Sequence, residues 1–212
     1  NLASQKKGLR VNLDSRLFSK NDYKADLIYG LDLLHDATVQ KLEDGRFWTP
    51  QMKMLNTAPF ALVKFDAWGK FTLKVGARYE NINVEADDFH TLPVLNSKTN
   101  SYTESIFVKG GDLEYNAFVG NIGMRYNLMP EVNVFTSYSQ SFSINEIGRI
   151  LRSATTSVIS KLPTDPIIVN NYEMGVAGTI KKWLNYELTS FWSTSELGAT
   201  SIQAADGSFA MQ

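Results

Sequence analysis

The sequence predicts an all-β fold: an antiparallel up-and-down meander of about eight strands that forms part of a large barrel crossing a membrane. Three observations predict this fold. Apolar and polar side chains alternate over long segments, short and long connections alternate along the chain, and the charged side chains of these segments fall on the polar side of the alternation. Because successive side chains of a strand point to opposite faces of its sheet, each predicted strand has one apolar and one polar face.

The alternation is most regular in the first, second and fourth predicted strands. The first set is interrupted only by Ser15, and Ile28 and Leu34 fall on the polar side of the second. The apolar positions of the three strands are Leu9, Val11, Leu13 and Leu17; Tyr23, Ala25, Leu27, Tyr29, Leu31 and Leu33; and Phe71, Leu73, Val75, Ala77 and Tyr79.

The other predicted strands alternate less cleanly. Phe135 and Phe191 each fall on the polar side of their strand, and the first half of segment 114–126 is ambiguous. These strands are predicted over residues 61–66, 114–126, 132–139, 172–180 and 184–192.

Strand length and connection length distinguish a membrane barrel from a soluble β-sandwich, in which side chains also alternate. Several segments keep their phase for about 9–11 residues, the length that a tilted strand needs to cross a bilayer. Consecutive connections of a meander lie at opposite ends, so one end is predicted to be short and the other elaborated, as in outer-membrane barrels. The short connections are 19–22, 67–70, 127–131 and 181–183, and the long ones are 38–59, 84–112 and 143–170.

The positions of the charged side chains indicate which face of the predicted sheet contacts lipid and which faces the interior. On a lipid-facing surface each would cost about 2–4 kcal/mol near the bilayer midplane. The polar face is therefore predicted to line a water-filled interior, or one filled by a polar plug domain, and the apolar face to contact lipid. Aromatic residues near both ends of the strands indicate the girdles at membrane boundaries. The charged residues are Arg10, Arg16, Lys24, Asp26, Asp32, Lys74, Arg78, Glu80, Arg125, Glu173 and Glu187.

The composition excludes several other classes. The 43% of apolar residues is too high for a disordered segment, and the formal charge of −1 predicts no nucleic-acid partner. The absence of Cys excludes disulfides and thiolate metal sites. No run of about 18 apolar residues predicts a membrane-spanning helix. The first residues lack an initiator Met and a signal segment, so we expect a fragment.

Short motifs then resemble those of a known family. Residues 76–80, Gly-Ala-Arg-Tyr-Glu, resemble its G-x-R-Y-[DE] strand, and 170–176, Asn-Asn-Tyr-Glu-Met-Gly-Val, its Y-E-x-G-x strand. Between them, Gly-Met-Arg-Tyr at 123–126, Pro130 and the run 134–142 are similar to a "G-x-x-Y … P … Y-x-S-Y-S-x-x-F" hairpin. From about Leu9 to the C-terminus the chain resembles TonB-dependent outer-membrane receptors, and their ferric-siderophore branch in particular.

The resemblance implies a 22-stranded barrel with an N-terminal plug inside it. Residues 1–212 would then be a partial barrel domain, and the plug and the remaining strands would lie outside this sequence. The implied partners are a ferric siderophore, outer-membrane lipid and a TonB-type energy-transducing protein, and the implied location is the bacterial outer membrane. Lumen-facing positions are predicted at Arg78, Glu80, Arg125 and Glu173.

No enzymatic pattern is found. The sequence contains no G-x-S-x-G, Walker A, G-x-G-x-x-G or H-E-x-x-H motif, and His35 and His90 have no ligand-like spacing. We therefore predict no catalytic residue, no bound metal and no cofactor, since iron would be carried within the siderophore complex.

The long connections supply the candidate ligand-binding residues. Arg offers charge and forked donors to an anionic chelate, and aromatic faces stack on planar groups. Residues 143–146, Ser-Ile-Asn-Glu, resemble a capping box, so residues 144–151 are predicted to form a short helix. The alternative function is a soluble or surface-attached β-sheet module that binds carbohydrate or another ligand. The candidate residues are Arg46, Trp48, Tyr102, Arg149 and Arg152.

Overall fold

The computed structural model describes residues 1–93, 95–96, 100–144, 147–152, 154–161, 166–181, 183–195, 201–203 and 209–211. Eight long strands form one antiparallel sheet in the order β1-β2-β3-β4-β9-β10-β11-β12. The predicted all-β meander, a partial section of a barrel, is thus confirmed. The long strands are β1 (Leu2–Lys20), β2 (Tyr23–Lys41), β3 (Phe47–Ala67), β4 (Phe71–Ala86), β9 (Gly111–Met129), β10 (Val132–Ser143), β11 (Ile167–Ile180) and β12 (Leu184–Ser195).

The smaller elements lie in the connections and near the C-terminus. Strands β5 and β8 pair with each other, as do β6 and β7, and β13 and β14. Among the described residues, no α-helix is long and apolar enough to span a membrane. The small elements are β5 (Phe89–His90), β6 (Leu95–Asn96), β7 (Ser101–Tyr102), β8 (Phe107–Val108), α1 (Ile147–Arg152), the 3-10 helix η1 (Ile159–Lys161), β13 (Ser201–Gln203) and β14 (Phe209–Met211).

Four tight turns lie at one end of the sheet, here called the turn end, and the longer connections lie at the opposite loop end. Asn21, Trp68 and Lys181 take positive φ angles of 51°, 54° and 48° in these turns. Trp68 is held there by two hydrogen bonds, from its backbone N–H to the Asp22 carbonyl at 2.8 Å and from its indole N–H to the Tyr23 hydroxyl at 2.9 Å. The predicted short connections are therefore confirmed.

One predicted long connection is wrong. Residues 38–59 are not a loop, because β2 continues to Lys41 and β3 begins at Phe47, which leaves only 42–46 between them. The strands of the main sheet are 12 to 21 residues long, beyond the predicted 9–11. The extensions mix polar and apolar side chains: in β3, Met54 and Asn56 share one face, and Lys53 and Leu55 share the other. Alternation therefore cannot reveal them, although ladder hydrogen bonds can form without an apolar face.

The register defines two faces. Directly paired residues share a face, and the pairs Arg10–Asp32 and Thr72–Arg125 lie on the one we call the ionic face. The pairs Leu27–Val63 and Val75–Ile122 lie on the opposite, apolar face. Many large side chains of the apolar face are solvent-exposed in this sheet, such as Leu188 at 72%.

Aromatic side chains cluster at both ends of the apolar face. At the turn end, Tyr23 stacks on Phe65 with centroids 6.2 Å apart and lies edge-on to Trp68 at 5.8 Å. Towards the loop end, Tyr172 lies between Tyr138 and Trp192, at 5.0 Å and 5.9 Å. The two predicted aromatic groups therefore bound an apolar band along the strands.

The buried core lies at the loop end of the ionic face. There the strand positions become apolar, and described residues of the two long connections, such as Phe89, Leu151 and Ile159, pack over them. Helix α1 begins at Ile147, later than the predicted start at Ile144; residues 145–146 lie outside the described part of the chain. We call this group the loop-end core, and its buried members are Ile82, Val84, Ala86, Phe89, Val108, Leu113, Tyr115, Ile147, Leu151, Ala154 and Ile159.

Candidate functional site

A ladder of ion pairs crosses the ionic face from β1 to β4. Arg10 donates to Asp32 through Nε at 2.5 Å and Nη2 at 2.8 Å, and Arg78 pairs with the same carboxylate from β4. Arg78 also donates from Nε to Glu80 at 2.5 Å, and the other Glu80 oxygen accepts a bond from Asn56 at 2.9 Å. Because three strands deliver donors to two carboxylates, the charges are matched within the sheet.

A second group of ion pairs lies closer to the turn end. Asp26 accepts from Arg16 at 2.5 Å and Lys24 at 2.9 Å. Asp66 lies 2.9 Å from Lys64 and accepts a hydrogen bond from the Thr72 hydroxyl at 2.7 Å. Such pairs keep charged side chains solvated and ordered on a wet surface without a large gain in stability.

The ionic face changes chemistry on β10 to β12, where hydroxyl and amide groups replace most charges. Ser137 donates to Glu173 at 3.4 Å, and Ser193 donates to Asn171 at 2.7 Å. The predicted lumen-facing residues Arg78, Glu80, Arg125 and Glu173 all lie on the ionic face. That this face lines a lumen stays a prediction.

Two of the predicted ligand-binding residues meet at the loop end. The Arg152 guanidinium lies over the Trp48 ring, 5.4 Å from its centroid, although Trp48 lies on β3 and Arg152 on α1, about a hundred residues later. Helix α1 is brought there by close packing, since a Cβ at Gly148 would lie only 3.1 Å from the Thr49 methyl group. The pair presents a cation and an aromatic face side by side, which suits an anionic ligand with planar groups.

The other three candidates do not join this pair. Arg46 donates to the Asp44 carboxylate in the short turn between β2 and β3, at 2.8 Å through Nε and 2.6 Å through Nη2. This side-chain hydrogen bond, with a second from the Arg46 backbone, lowers the pKa of Asp44. Tyr102 lies on β7 with 70% of its surface exposed, and Arg149 lies on α1. Their role in binding stays a prediction.

Sequence reasoning did not include Asp32 or Asp44 among the site residues. The sequence predicts that Asp32 lies on the polar face, but its two Arg partners come from β1 and β4, and only the register brings them together. Asp44 is two residues from Arg46, a spacing from which the pair could have been found. Among the described residues, no group of three His, Cys, Asp or Glu side chains is placed to hold a metal ion.

A protein-family model described as TonB dependent receptor-like, beta-barrel, matches residues 4–203. The rhizobactin receptor of Rhizobium meliloti (strain 1021) is 27% identical over 99 residues, which are 45% of this chain and 13% of that receptor. The chain thus spans only a small part of this curated relative.

Solved structures share the fold. The ferric-catecholate import receptor Fiu of E. coli K12, in its closed form, has a TM-score of 0.69 at 16% identity, with 99% of this chain and 34% of Fiu covered. The Serratia marcescens hemophore receptor HasR, in complex with HasA and heme, has a TM-score of 0.74 at 15% identity, with 99% and 37% covered. At these identities the likeness shows the fold alone.

Proposed function

Since this chain belongs to the TonB-dependent receptor β-barrel family, we propose that it is a section of an outer-membrane receptor that takes up a ferric siderophore. One observation carries the proposal: a single sheet presents an exposed apolar face between two aromatic clusters and, on its other side, a face of matched ion pairs. The rhizobactin receptor among the relatives supports this branch of the family.

The apolar face supports a lipid environment rather than the alternative of a soluble module. Soluble proteins rarely expose a continuous apolar patch beyond a few hundred Å². Here Val11, Val75, Met174 and Leu188 are each between 43% and 72% exposed and lie on one face of a single sheet. In a bilayer, the same surface is covered by acyl chains. This chain would therefore lie in the outer membrane, with the strands that complete the barrel outside residues 1–212.

Recognition is assigned to the loop end. The ferric complex of an anionic siderophore would contact the Trp48–Arg152 pair, with Arg46, Arg149 and Tyr102 on neighbouring connections. Guanidinium groups would bind its oxygen donors, and the aromatic rings would stack on its planar groups. Recognition on loops held by a rigid sheet is a common arrangement, because the sheet fixes where each loop starts and ends.

Transport follows recognition and requires no chemistry on the cargo. The hydrated ionic face would border the path, and a TonB-type partner would supply the energy through a plug outside this sequence. No bond of the siderophore is broken in this scheme, so no catalytic residue is needed and the protein is proposed to be a receptor and not an enzyme. The iron is cargo within the complex.

Growth on defined iron sources tests the proposal. A strain lacking the full-length gene should lose growth on one ferric siderophore under iron limitation, and a plasmid copy should restore it. Heme serves as the second iron source, because HasR is a structural neighbour. Growth that depends on the gene with heme alone, or with neither source, would contradict the siderophore assignment.

Binding measurements locate the site. Arg152→Gln removes the cation from the Trp48 ring and should weaken siderophore binding by the purified full-length receptor roughly tenfold, the effect of losing a charge-assisted contact. Lys53→Gln is the matched control, since Lys53 lies on the loop-end part of the apolar face and pairs with Glu85 at 3.6 Å. Equal affinities of both variants and the parent would place recognition elsewhere.

A further inference from the structure

The apolar face of β10, β11 and β12 changes its chemistry stepwise from the loop end to the turn end. Each step is a row of three directly paired residues, one from each strand. Among the described residues of these strands, no charged side chain lies on this face. From the loop end, the rows are Gln140–Asn170–Thr194 (the amide row), Tyr138–Tyr172–Trp192 (the aromatic row), Thr136–Met174–Ser190 (the groove row) and Val134–Val176–Leu188.

A groove of about 420 Å³ lies beside the aromatic row, within the range of about 300–1,000 Å³ that is usual for pockets that hold small molecules. The groove forms because Thr136 and Ser190 are small, whereas the rows on either side carry larger side chains. The Thr136 hydroxyl donates to the Glu173 carbonyl at 2.9 Å, so this polar group is already satisfied within the sheet. The groove therefore suits an apolar ligand, and its walls include Tyr172, Trp192 and Met174.

The aromatic row places hydrogen-bond donors at the edge of the groove. The Tyr138 hydroxyl is used, because it donates to the Asn170 side-chain oxygen at 2.9 Å. Among the described residues, the Tyr172 hydroxyl and the Trp192 indole N–H have no acceptor, and these two residues are 44% and 69% exposed. Polar groups of Tyr and Trp at a membrane boundary usually find a partner. The acceptor for these two donors must therefore come from outside the described chain.

The amide row offers both donors and acceptors but no charge. Asn170 also accepts a hydrogen bond from the Gln140 amide at 3.2 Å, and the Gln140 oxygen accepts one from the Gly120 backbone N–H at 3.3 Å. On the loop-end part of the apolar face of β1 and β3, by contrast, Lys7 and Lys53 supply cations. The amide row thus suits a headgroup that both donates and accepts hydrogen bonds and carries no net charge.

We propose that the apolar face of β10, β11 and β12 binds one phospholipid molecule with a zwitterionic headgroup. Its acyl chain would lie in the groove, its ester or phosphate oxygens would accept from Tyr172 and Trp192, and its headgroup would bond to the amide row. From the loop end inwards, the rows follow the order of chemical groups along such a lipid, from headgroup to tail. This inference rests on the proposed function, because the apolar face must lie in a bilayer.

A second copy of the chain fits this surface less well. Two copies related by a two-fold axis along the membrane normal would place the same levels of the face against each other. The aromatic row of one copy would then meet the aromatic row of the other. The Tyr172 and Trp192 donors would still have no acceptor, whereas a lipid supplies acceptor oxygens at that level.

Native mass spectrometry of the full-length receptor tests the inference. The receptor is stripped of lipid in detergent and titrated with phosphatidylethanolamine, or with phosphatidylglycerol, which carries a net negative charge. The first phosphatidylethanolamine should bind roughly tenfold more tightly than later ones, because the groove buries methylene groups that chance contacts leave exposed. Phosphatidylglycerol should show no such step. A preference for phosphatidylglycerol, or a receptor dimer in place of the lipid complex, would overturn the proposal.

Filling the groove separates this site from the rest of the apolar face. Thr136→Leu with Ser190→Leu adds apolar volume that a bilayer tolerates, and should remove the tight first step. Ala77→Leu adds a similar side chain to the apolar face of β4 and is the matched control. Tyr172→Phe with Trp192→Phe keeps the rings, removes the donors and should weaken the first step roughly tenfold. Heat-modifiable gel mobility confirms that each variant is folded, and an unchanged first step in the filled receptor would overturn the proposal.

Fluorescence in vesicles distinguishes a lipid site from ordinary lipid contact. Phosphatidylglycerol vesicles carry a small fraction of phosphatidylethanolamine with brominated acyl chains, which quench indole emission. The emission of Trp192 is the difference between the parent receptor and Trp192→Phe. Its quenching should saturate at a low fraction of brominated lipid, and quenching that rises only in proportion to that fraction would overturn the proposal.

Siderophore uptake by the same variants is measured separately. A receptor that keeps the tight lipid step but takes up no ferric siderophore would contradict the proposed function alone. Normal uptake by a parent receptor that shows no tight lipid step would contradict the lipid site alone.

Discussion

The turn-end and loop-end halves of the ionic face are built from the same strands but differ in what covers them. Towards the turns, β4 presents Lys74, Arg78 and Glu80 to solvent and to ion-pair partners. Only two residues after Glu80, Ile82 begins the loop-end core, which the connections seal. The ionic face of β4 therefore changes from solvent-exposed to buried while the hydrogen bonding between the strands continues unbroken.

This difference shows that the alternation of apolar and polar side chains does not by itself predict which parts of a strand are buried when the surroundings change along its length. The ionic half is stabilised by exposed charge pairs, each of small effect. The loop-end core is stabilised by burial of apolar side chains, which is worth about 25 cal/mol per Å². The two halves should therefore respond very differently to substitution.

The largest effect is expected in the loop-end core. Leu151→Ala removes a fully buried side chain of α1 and should destabilise the packing of residues 147–161 by about 2–5 kcal/mol. Hydrogen exchange in the full-length receptor should accelerate in α1 and η1, with the long strands unaffected. Tyr102→Ala, at a position 70% exposed, is the control and should change little. Slow exchange in both variants would mean that the core does not hold the loops.

The assignment of the two faces is tested next. Val75→Arg places a charge on the apolar face, opposite Ile122, and should cost about 2–4 kcal/mol in a bilayer. The receptor is reconstituted in lipid vesicles and titrated with urea, and its folded fraction is measured by its heat-modifiable mobility on gels. This folded fraction should fall in the variant. Asn12→Arg adds the same charge on the ionic face, opposite Gly30, and should be tolerated. Equal losses in the two variants would contradict the lipid contact of the apolar face.

Within the ionic half, a smaller effect is expected from the shared carboxylate of Asp32. A double-mutant cycle of Asp32→Ala with Arg78→Ala should give a coupling energy of about 1 kcal/mol, the upper end for exposed pairs. Coupling to Arg10 should be weaker, since its side chain is 68% exposed against 29% for Arg78. Urea titrations of the five variants that the two cycles require measure both coupling energies, and the reverse order would show that shielding from solvent does not govern the strength of these ion pairs.

The smallest effect is expected at the solvent-exposed Asp44–Arg46 pair. The pKa of Asp44 is lowered, so the pair contributes at neutral pH and is lost as the pH falls through that lowered pKa, below the usual value of about 3.9. Carbon-13 titration of the Asp44 carboxyl in the detergent-solubilised receptor should give a midpoint below that of ordinary Asp. Arg46→Gln should return the midpoint towards the ordinary value, and a midpoint unaffected by this change would show that the pair does not form.

Much of the sheet could be predicted from residues such as Leu27 and Asp26, because a period of two assigns faces without knowledge of partners. The strand extensions around Lys41 and Phe47 could not, since each face of the β3 extension mixes polar and apolar side chains, and such a sequence has no period of two from which the pairing could be predicted. The contact between Arg152 and Trp48 could not be predicted from the sequence either. The side-chain chemistry of both residues predicts a role in ligand binding, but the contact between them depends on how α1 packs beside Thr49.

The all-β meander, its tight turns and the side chains that share a face follow from the amino-acid sequence, because they depend on local geometry and short-range periodicity. That Asp32 binds two arginines, that Lys74 lies opposite Lys64, and that the loops bury one end of the ionic face depends on the folded chain. These features depend on register and on contacts between distant segments. Their energies arise from pairs of residues that no local pattern brings together.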